Sequence, residues 1–176
     1  MVSLDGWCRA LREQHEFDLQ LYQSSHQEWK NRWLHRVLIP VECFSAFLFI
    51  TVICQSTLPL SYLQLHVVLV LGVGFHMGLV SLVIGKSPWS GLSSFGFMVA
   101  APWISCILIQ PRANKKDDKR HKMTVAIVSL GMWFIASSLQ VAVGHWLWER
   151  NEPDVLSSDQ VSWLSLTHSV QIAWTS

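Results

Sequence analysis

The chain has 176 residues, of which 51% are hydrophobic and 14% are charged, and its formal net charge is +1. A soluble domain carries about 25% charged residues, so this composition is typical of a membrane protein. The length predicts one domain, residues 1–176, and the near-neutral charge gives no support for a nucleic-acid partner.

The N-terminal region, residues 7–36, contains neither proline nor glycine and mixes apolar with charged side chains. This pattern predicts a helix that lies in the membrane interface. Asn31 and His35 are four residues apart and share one helix face. His26 lies nine residues before His35, so the two rings reach one ion only if the helix breaks within 24–27 or if they lie at different depths.

Four apolar windows follow, and each approaches the roughly 20 residues that a membrane-spanning helix needs. They cover about 37–58, 61–85, 91–110 and 123–148. The third contains glycine, serine and proline, so it is either a full span or a re-entrant element. A last segment at about 155–174 is predicted to lie in the interface. The expected fold is an all-α polytopic membrane bundle with four transmembrane helices and amphipathic helices at both termini.

The distribution of lysine and arginine does not decide the orientation of this bundle. With four crossings, seven of these residues fall on the side of the termini and six on the opposite side. All six lie between Arg112 and Lys122. The positive-inside rule needs a clear asymmetry, which is lacking here.

Two polar motifs flank the four windows. The first places Tyr22, His26, Asn31 and His35 ahead of Pro40, and the second is Gly144-His145 followed by Glu149 and Pro153. If an even number of helices separates the motifs, both lie at one membrane face. Three imidazoles and a carboxylate are then available to a metal ion. His145 and Glu149 are four residues apart, so the carboxylate can bind the same ion or orient the imidazole.

Other polar groups inside the windows have simpler interpretations. Glu42 is expected near the membrane rim, protonated or paired, because an unpaired charge in a bilayer is costly. His76 is expected to hydrogen-bond a neighbouring helix or, alternatively, to be a deeper ligand. The remaining histidines are predicted at the surface or interface: His15, His66, His121 and His168. The four cysteines lack metal-site spacing and are predicted to be free thiols.

The order and spacing of the two motifs resemble the Mpo1-like family over about residues 18–165. Members of that family are iron(II)-dependent dioxygenases of the endoplasmic reticulum membrane, which shorten 2-hydroxy fatty acids by one carbon and release carbon dioxide. The resemblance implies that Fe(2+) is bound by His26, His35 and His145. It implies partner or site-lining roles for Tyr22, Asn31 and Glu149. The implied partners are a lipophilic substrate, dioxygen and membrane lipids.

Two other functions remain compatible with the same residues. The family often has a second histidine where this chain has Gln27, and an oxygenase or cyclase acting on another lipophilic substrate is therefore one alternative. A non-catalytic membrane protein that binds a metal or haem is the other.

Overall fold

The computed structural model describes residues 3–58, 60–84 and 87–149, apart from the side chains of Asp18, Leu21, Tyr22, Ser24, Ser25 and Glu149. These residues form α1 (Leu4–Ser25), α2 (Trp29–Thr57), α3 (Tyr62–Ile84), α4 (Pro88–Leu108) and α5 (Lys115–Leu139). Helix α3 contains a π-helical segment, Val68–Phe75, and α5 continues directly into a second, Gln140–Glu149. No strand occurs in these parts of the chain, which confirms the predicted all-α fold.

Four helices are long and apolar enough to cross a membrane: Trp29–Thr57, Tyr62–Ile84, Pro88–Leu108 and Lys115–Trp148. The predicted number of spans is therefore confirmed. The first and last begin well before the predicted windows, because their polar first turns continue the helix beyond the apolar stretch. The third is an unbroken helix of 21 residues, not a re-entrant element. The interfacial segment predicted at about 155–174 lies outside the described residues.

The outer surface of the bundle is apolar. On α5, Ile127, Phe134 and Ile135 are 64%, 65% and 60% exposed. Contiguous apolar surface of this kind is unusual on a soluble monomer and suits contact with lipid. Trp29 and Trp89, each at the start of a helix, are also exposed, as expected for an interfacial aromatic belt. The chain is therefore a polytopic membrane protein.

The helical region predicted over residues 7–36 is divided into two helices. Residues 26–28 separate α1 from α2, and Glu28, which precedes α2, has an extended backbone. Helix α1 packs against the end of α3, where Leu11 contacts a cluster with Val80 and Ile84. Arg12 Nε also donates a hydrogen bond to Val83 O at 3.0 Å. These contacts hold α1 against the bundle.

His15 is buried, although the sequence predicted it at the surface or interface. It is 1% exposed, and the residues four before and four after it, Leu11 and Leu19, are also buried. Residues at this spacing form one stripe along a helix. The prediction was wrong because the histidine occupies the inner face of α1, and the charged residues around it obscure that face in the sequence.

The core lies where α2, α3 and α4 meet. Helix α2 packs against α4 and α5, and α3 packs against α4. The main buried cluster contains Ile39, Cys43, Phe47, Met77 and Met98. All four cysteines are free, as predicted, with Cys43 and Cys106 buried as small apolar side chains.

Gly74 allows a close approach between α3 and α4. A Cβ atom at this position would lie 2.6 Å from Met98 O and 2.7 Å from Pro102 Cγ. Pro102 has no backbone N–H, so Met98 O lacks its usual partner four residues later in α4. Small residues let transmembrane helices pack this closely.

Gly74→Ala is expected to lower the free energy of unfolding by about 1–3 kcal/mol, because the added methyl group must push α3 and α4 apart. Gly72→Ala is the matched control, since no atom lies within 4 Å of a Cβ at Gly72. The two variants should be compared by thermal unfolding of the full chain in detergent. Equal midpoints would contradict the packing role of Gly74.

Candidate metal centre

Three histidines from different elements meet at one end of the bundle. His26 lies in the break before α2, His35 lies on α2, and His145 lies in the π-helical segment after α5. The start of α2 and the end of α5 are therefore at the same end, as four crossings require. The break at 26–28 lets His26 turn back toward His35, which one straight helix would prevent.

The three imidazole rings are in close contact. His26 Nε2 and His35 Nε2 are 3.1 Å apart. The ring centroid of His26 lies 4.5 Å from that of His35 and 4.8 Å from that of His145, and the centroids of His35 and His145 are 5.5 Å apart. All three rings are buried, and their candidate ligand atoms lie within 4.8 Å of one another. Three buried histidines could thus hold a metal ion.

These distances fit a metal ion. A metal–imidazole bond is about 2.0–2.1 Å long, so two nitrogens bound to one ion at tetrahedral or right angles lie about 2.9–3.4 Å apart. The 3.1 Å between His26 Nε2 and His35 Nε2 falls in this range. His145 Nδ1 is buried and has no hydrogen-bond partner in the described part of the chain. The geometry and the donor set are consistent with a metal site.

Asn31 is a second polar group of the site. Its side chain is fully buried, one helical turn before His35, and among the described residues neither Oδ1 nor Nδ2 has a hydrogen-bond partner. A buried amide without partners is costly, so this arrangement points to a ligand, an ion or a water molecule. A Cβ on Gly144 would overlap Asn31 Oδ1. The glycine beside His145 therefore makes room for the Asn31 amide.

Gln140 is a polar neighbour of the site that sequence reasoning missed. Its side chain interacts with those of His35 and Glu42, although Nε2 makes no hydrogen bond of good geometry. Gln140 lies five residues before His145, which is not an α-helical spacing. In a π-helix the hydrogen bonds run between residues five apart, so these two residues are aligned. The alignment of Gln140 with His145 is therefore apparent only once the segment is known to be π-helical.

Glu42 is paired with a hydroxyl group, and no basic residue among those described forms an ion pair with it. Ser137 Oγ on α5 donates a hydrogen bond to Glu42 Oε1 on α2, at 2.5 Å. This hydrogen bond connects α2 to α5 deeper in the bundle than the histidine cluster. The Gln140 side chain interacts with both Glu42 and His35. His76 is exposed on α3 and does not belong to the cluster.

Two predicted site residues can be placed only by their backbones. Tyr22 lies in α1 and Glu149 ends the second π-helical segment, but the structure does not describe their side chains. Their roles therefore stay predictions. The expectation that His145 and Glu149 share a helix face also stays a prediction, because the side chain of Glu149 is not described. His168 lies outside the described residues.

Comparisons with protein-family models, curated proteins and solved structures found no match to this chain. The fold and the site define a class: a polytopic membrane protein with three buried histidines at one end of its bundle, which could hold a metal ion. The resemblance to the Mpo1-like family stays a prediction.

Proposed function

We propose that the protein is a non-haem iron(II) dioxygenase that converts a 2-hydroxy fatty acid into the acid one carbon shorter. The observation that carries this proposal is the convergence of His26, His35 and His145 within 4.8 Å in a buried site. Iron(II) accepts imidazole ligands and, when coordination positions stay open, activates dioxygen. Three protein ligands leave such positions. Assignment to the endoplasmic reticulum rests on the family resemblance alone.

The reaction balances with one dioxygen molecule per 2-hydroxy acid. The bond between the carboxyl carbon and the hydroxyl-bearing carbon breaks, and the products are the shorter acid, carbon dioxide and water. No further reductant is needed, because the substrate supplies the electrons that reduce dioxygen.

The chain's own residues would hold the ion and position the polar end of the substrate. The three histidines would provide the ligands. The Asn31 amide beside them has no hydrogen-bond partner among the described residues, so it offers a donor and an acceptor to the substrate's carboxylate or hydroxyl group. Glu149 and Tyr22 would complete the site, as the motifs predict.

The position of the site suits a substrate that enters from the membrane. His35 lies near the start of α2, where Trp29 and Trp33 are 64% and 58% exposed. Tryptophan at this depth contacts both headgroups and acyl chains. A fatty acid could therefore place its polar end at the histidines and its tail along the apolar surface of the bundle.

The haem alternative fits this geometry less well. Two axial histidines bound to one haem iron lie on opposite faces, so their nitrogens are about 4.0–4.2 Å apart. His26 Nε2 and His35 Nε2 are only 3.1 Å apart, and the third ring also packs against them. An oxygenase or cyclase acting on another lipophilic substrate uses the same metal site and is separated only by its product.

The test uses the purified full chain in detergent. Elemental analysis should find iron, and the absorption spectrum should lack a Soret band. Incubation with iron(II), dioxygen and a 2-hydroxy fatty acid should yield the one-carbon-shorter acid, detected by mass spectrometry. The matching acid without the hydroxyl group is the control and should not react. Iron without this product would favour another substrate, and a Soret band would favour a haem protein.

A further inference from the structure

A cavity lined by charged and other polar residues lies at the other end of the bundle. It has a volume of about 290 Å3 and is lined by Arg112, Asp117, Arg120, His121 and Thr124. The cavity lies beside the loop between α4 and α5. The first turns of α5 are far from the histidines, since Val125 packs near Val52 toward the end of α2, whereas His145 contacts His35 near its start.

His121 fixes the side chain of Arg112 on the cavity wall. Arg112 Nη2 and His121 Nδ1 are 3.1 Å apart, and His121 Nε2 is 2.8 Å from Leu108 O. A guanidinium group can only donate, so Nδ1 accepts and Nε2 donates to the carbonyl. Leu108 ends α4, where backbone carbonyls have no partner within the helix. His121 therefore links Arg112 to a carbonyl group at the C-terminal end of α4 that needs a hydrogen-bond donor. This link holds the Arg112 side chain in place.

The two arginines of the cavity have no acidic partner in the described chain. Asp118 is engaged elsewhere, by Lys122 Nζ at 2.7 Å and by the backbone N–H of Arg112 at 3.0 Å. The remaining acidic group on the wall is Asp117. The stretch 112–122 contains six lysines and arginines but only two aspartates. The cavity therefore presents two guanidinium groups that lack an acidic partner among the described residues, in a positively charged surround.

We propose that this Arg112–Arg120 cavity binds the phosphate group of an anionic phospholipid. Arginine suits phosphate because its planar guanidinium donates paired hydrogen bonds. The cavity begins where the apolar helix Pro88–Leu108 ends, which is the depth of lipid headgroups. Basic groups at that depth attract anionic lipids. The phosphate-bearing molecule available at this depth is therefore a membrane lipid.

The experiment is a lipid titration of the full chain in neutral detergent, read by native mass spectrometry. Phosphatidic acid should bind saturably and more tightly than phosphatidylcholine. Arg120→Gln should weaken this binding about tenfold or more, because it removes charge-assisted hydrogen bonds. Lys119→Gln is the matched control. Lys119 carries the same charge on the same helix but does not line the cavity, so its substitution should weaken binding by less than about fivefold.

A second variant distinguishes a specific loss of lipid binding from misfolding, because it is expected to bind the lipid more tightly. Asp117→Asn removes the acidic group from the wall and should tighten phosphatidic acid binding by up to about fivefold. Equal weakening by Arg120→Gln and Lys119→Gln would overturn the proposal, since diffuse charge would then explain the binding. Unchanged or weaker binding by Asp117→Asn would also count against it.

A further arm identifies the source of the phosphate group. Inorganic phosphate is titrated against the protein with phosphatidic acid bound. Failure to displace the lipid at millimolar phosphate supports a lipid site. Displacement at lower concentrations would show a site for soluble phosphate and would overturn the lipid assignment.

Discussion

His35→Ala and His145→Ala are each expected to abolish metal retention while leaving membrane insertion intact. Each change removes one of the three buried histidines that could hold a metal ion, and the two that remain are too few to retain it. Even a residue that only supports a ligand costs about 10–100-fold in metal affinity when changed, so loss of a ligand should exceed that range. The measurements are elemental analysis of the purified chain and competition with a chelator of known affinity.

His76→Ala is the matched control for these variants. His76 is exposed on α3 and lies outside the cluster, so its loss should leave the metal content unchanged. Circular dichroism and carbonate extraction should show native helicity and insertion in all three variants. Wild-type metal content in either the His35 or the His145 variant would refute the assignment of that histidine.

Gly144→Ala is expected to destabilise the protein and weaken metal binding together. The added methyl group would overlap Asn31 Oδ1, so either the buried amide must be displaced or the π-helical segment must move away from α2. Displacement of the amide disturbs a polar group of the site, and movement of the segment separates His145, the next residue, from His35. Overpacking of this kind costs about 1–3 kcal/mol. Helix propensity alone predicts the opposite sign, since alanine is favoured over glycine by about 1 kcal/mol.

Gly131→Ala on α5 is the control, because nothing lies within 4 Å of a Cβ at that position. Thermal unfolding and metal affinity should be measured for both variants and for Asn31→Ala combined with Gly144→Ala. Removing the Asn31 amide frees the space, so the double variant should recover stability relative to Gly144→Ala. If Gly144→Ala behaves like Gly131→Ala, the Asn31 contact does not constrain the site.

Hydropathy predicted the membrane part of the fold well. Within lipid, backbone groups must hydrogen-bond one another, so an apolar stretch of sufficient length has to be helical. The ends of the helices were predicted less well. The first turns of α2 and α5 are polar, and hydropathy cannot distinguish a polar helical turn from a loop.

The candidate site was predicted only in part. The two motifs indicated His26, His35 and His145, and their positions around four spans predicted one membrane face. The contribution of Gln140 was missed, because an α-helical repeat does not align it with His145. The burial of His15 was also missed, since the stripe of Leu11 and Leu19 is interrupted by charged neighbours.

The sequence by itself determined the all-α class, the four spans and the identity of the histidines, because these depend on local hydropathy and residue type. Tertiary structure alone decided that His26 turns back at the break before α2 and that the Asn31 amide rests against Gly144. It also decided that α5 ends as a π-helix, which sets the direction of His145. The groups that meet at the site come from the region of α2 and from the segment after α5, which are remote in the chain, so a local sequence pattern does not specify how they meet.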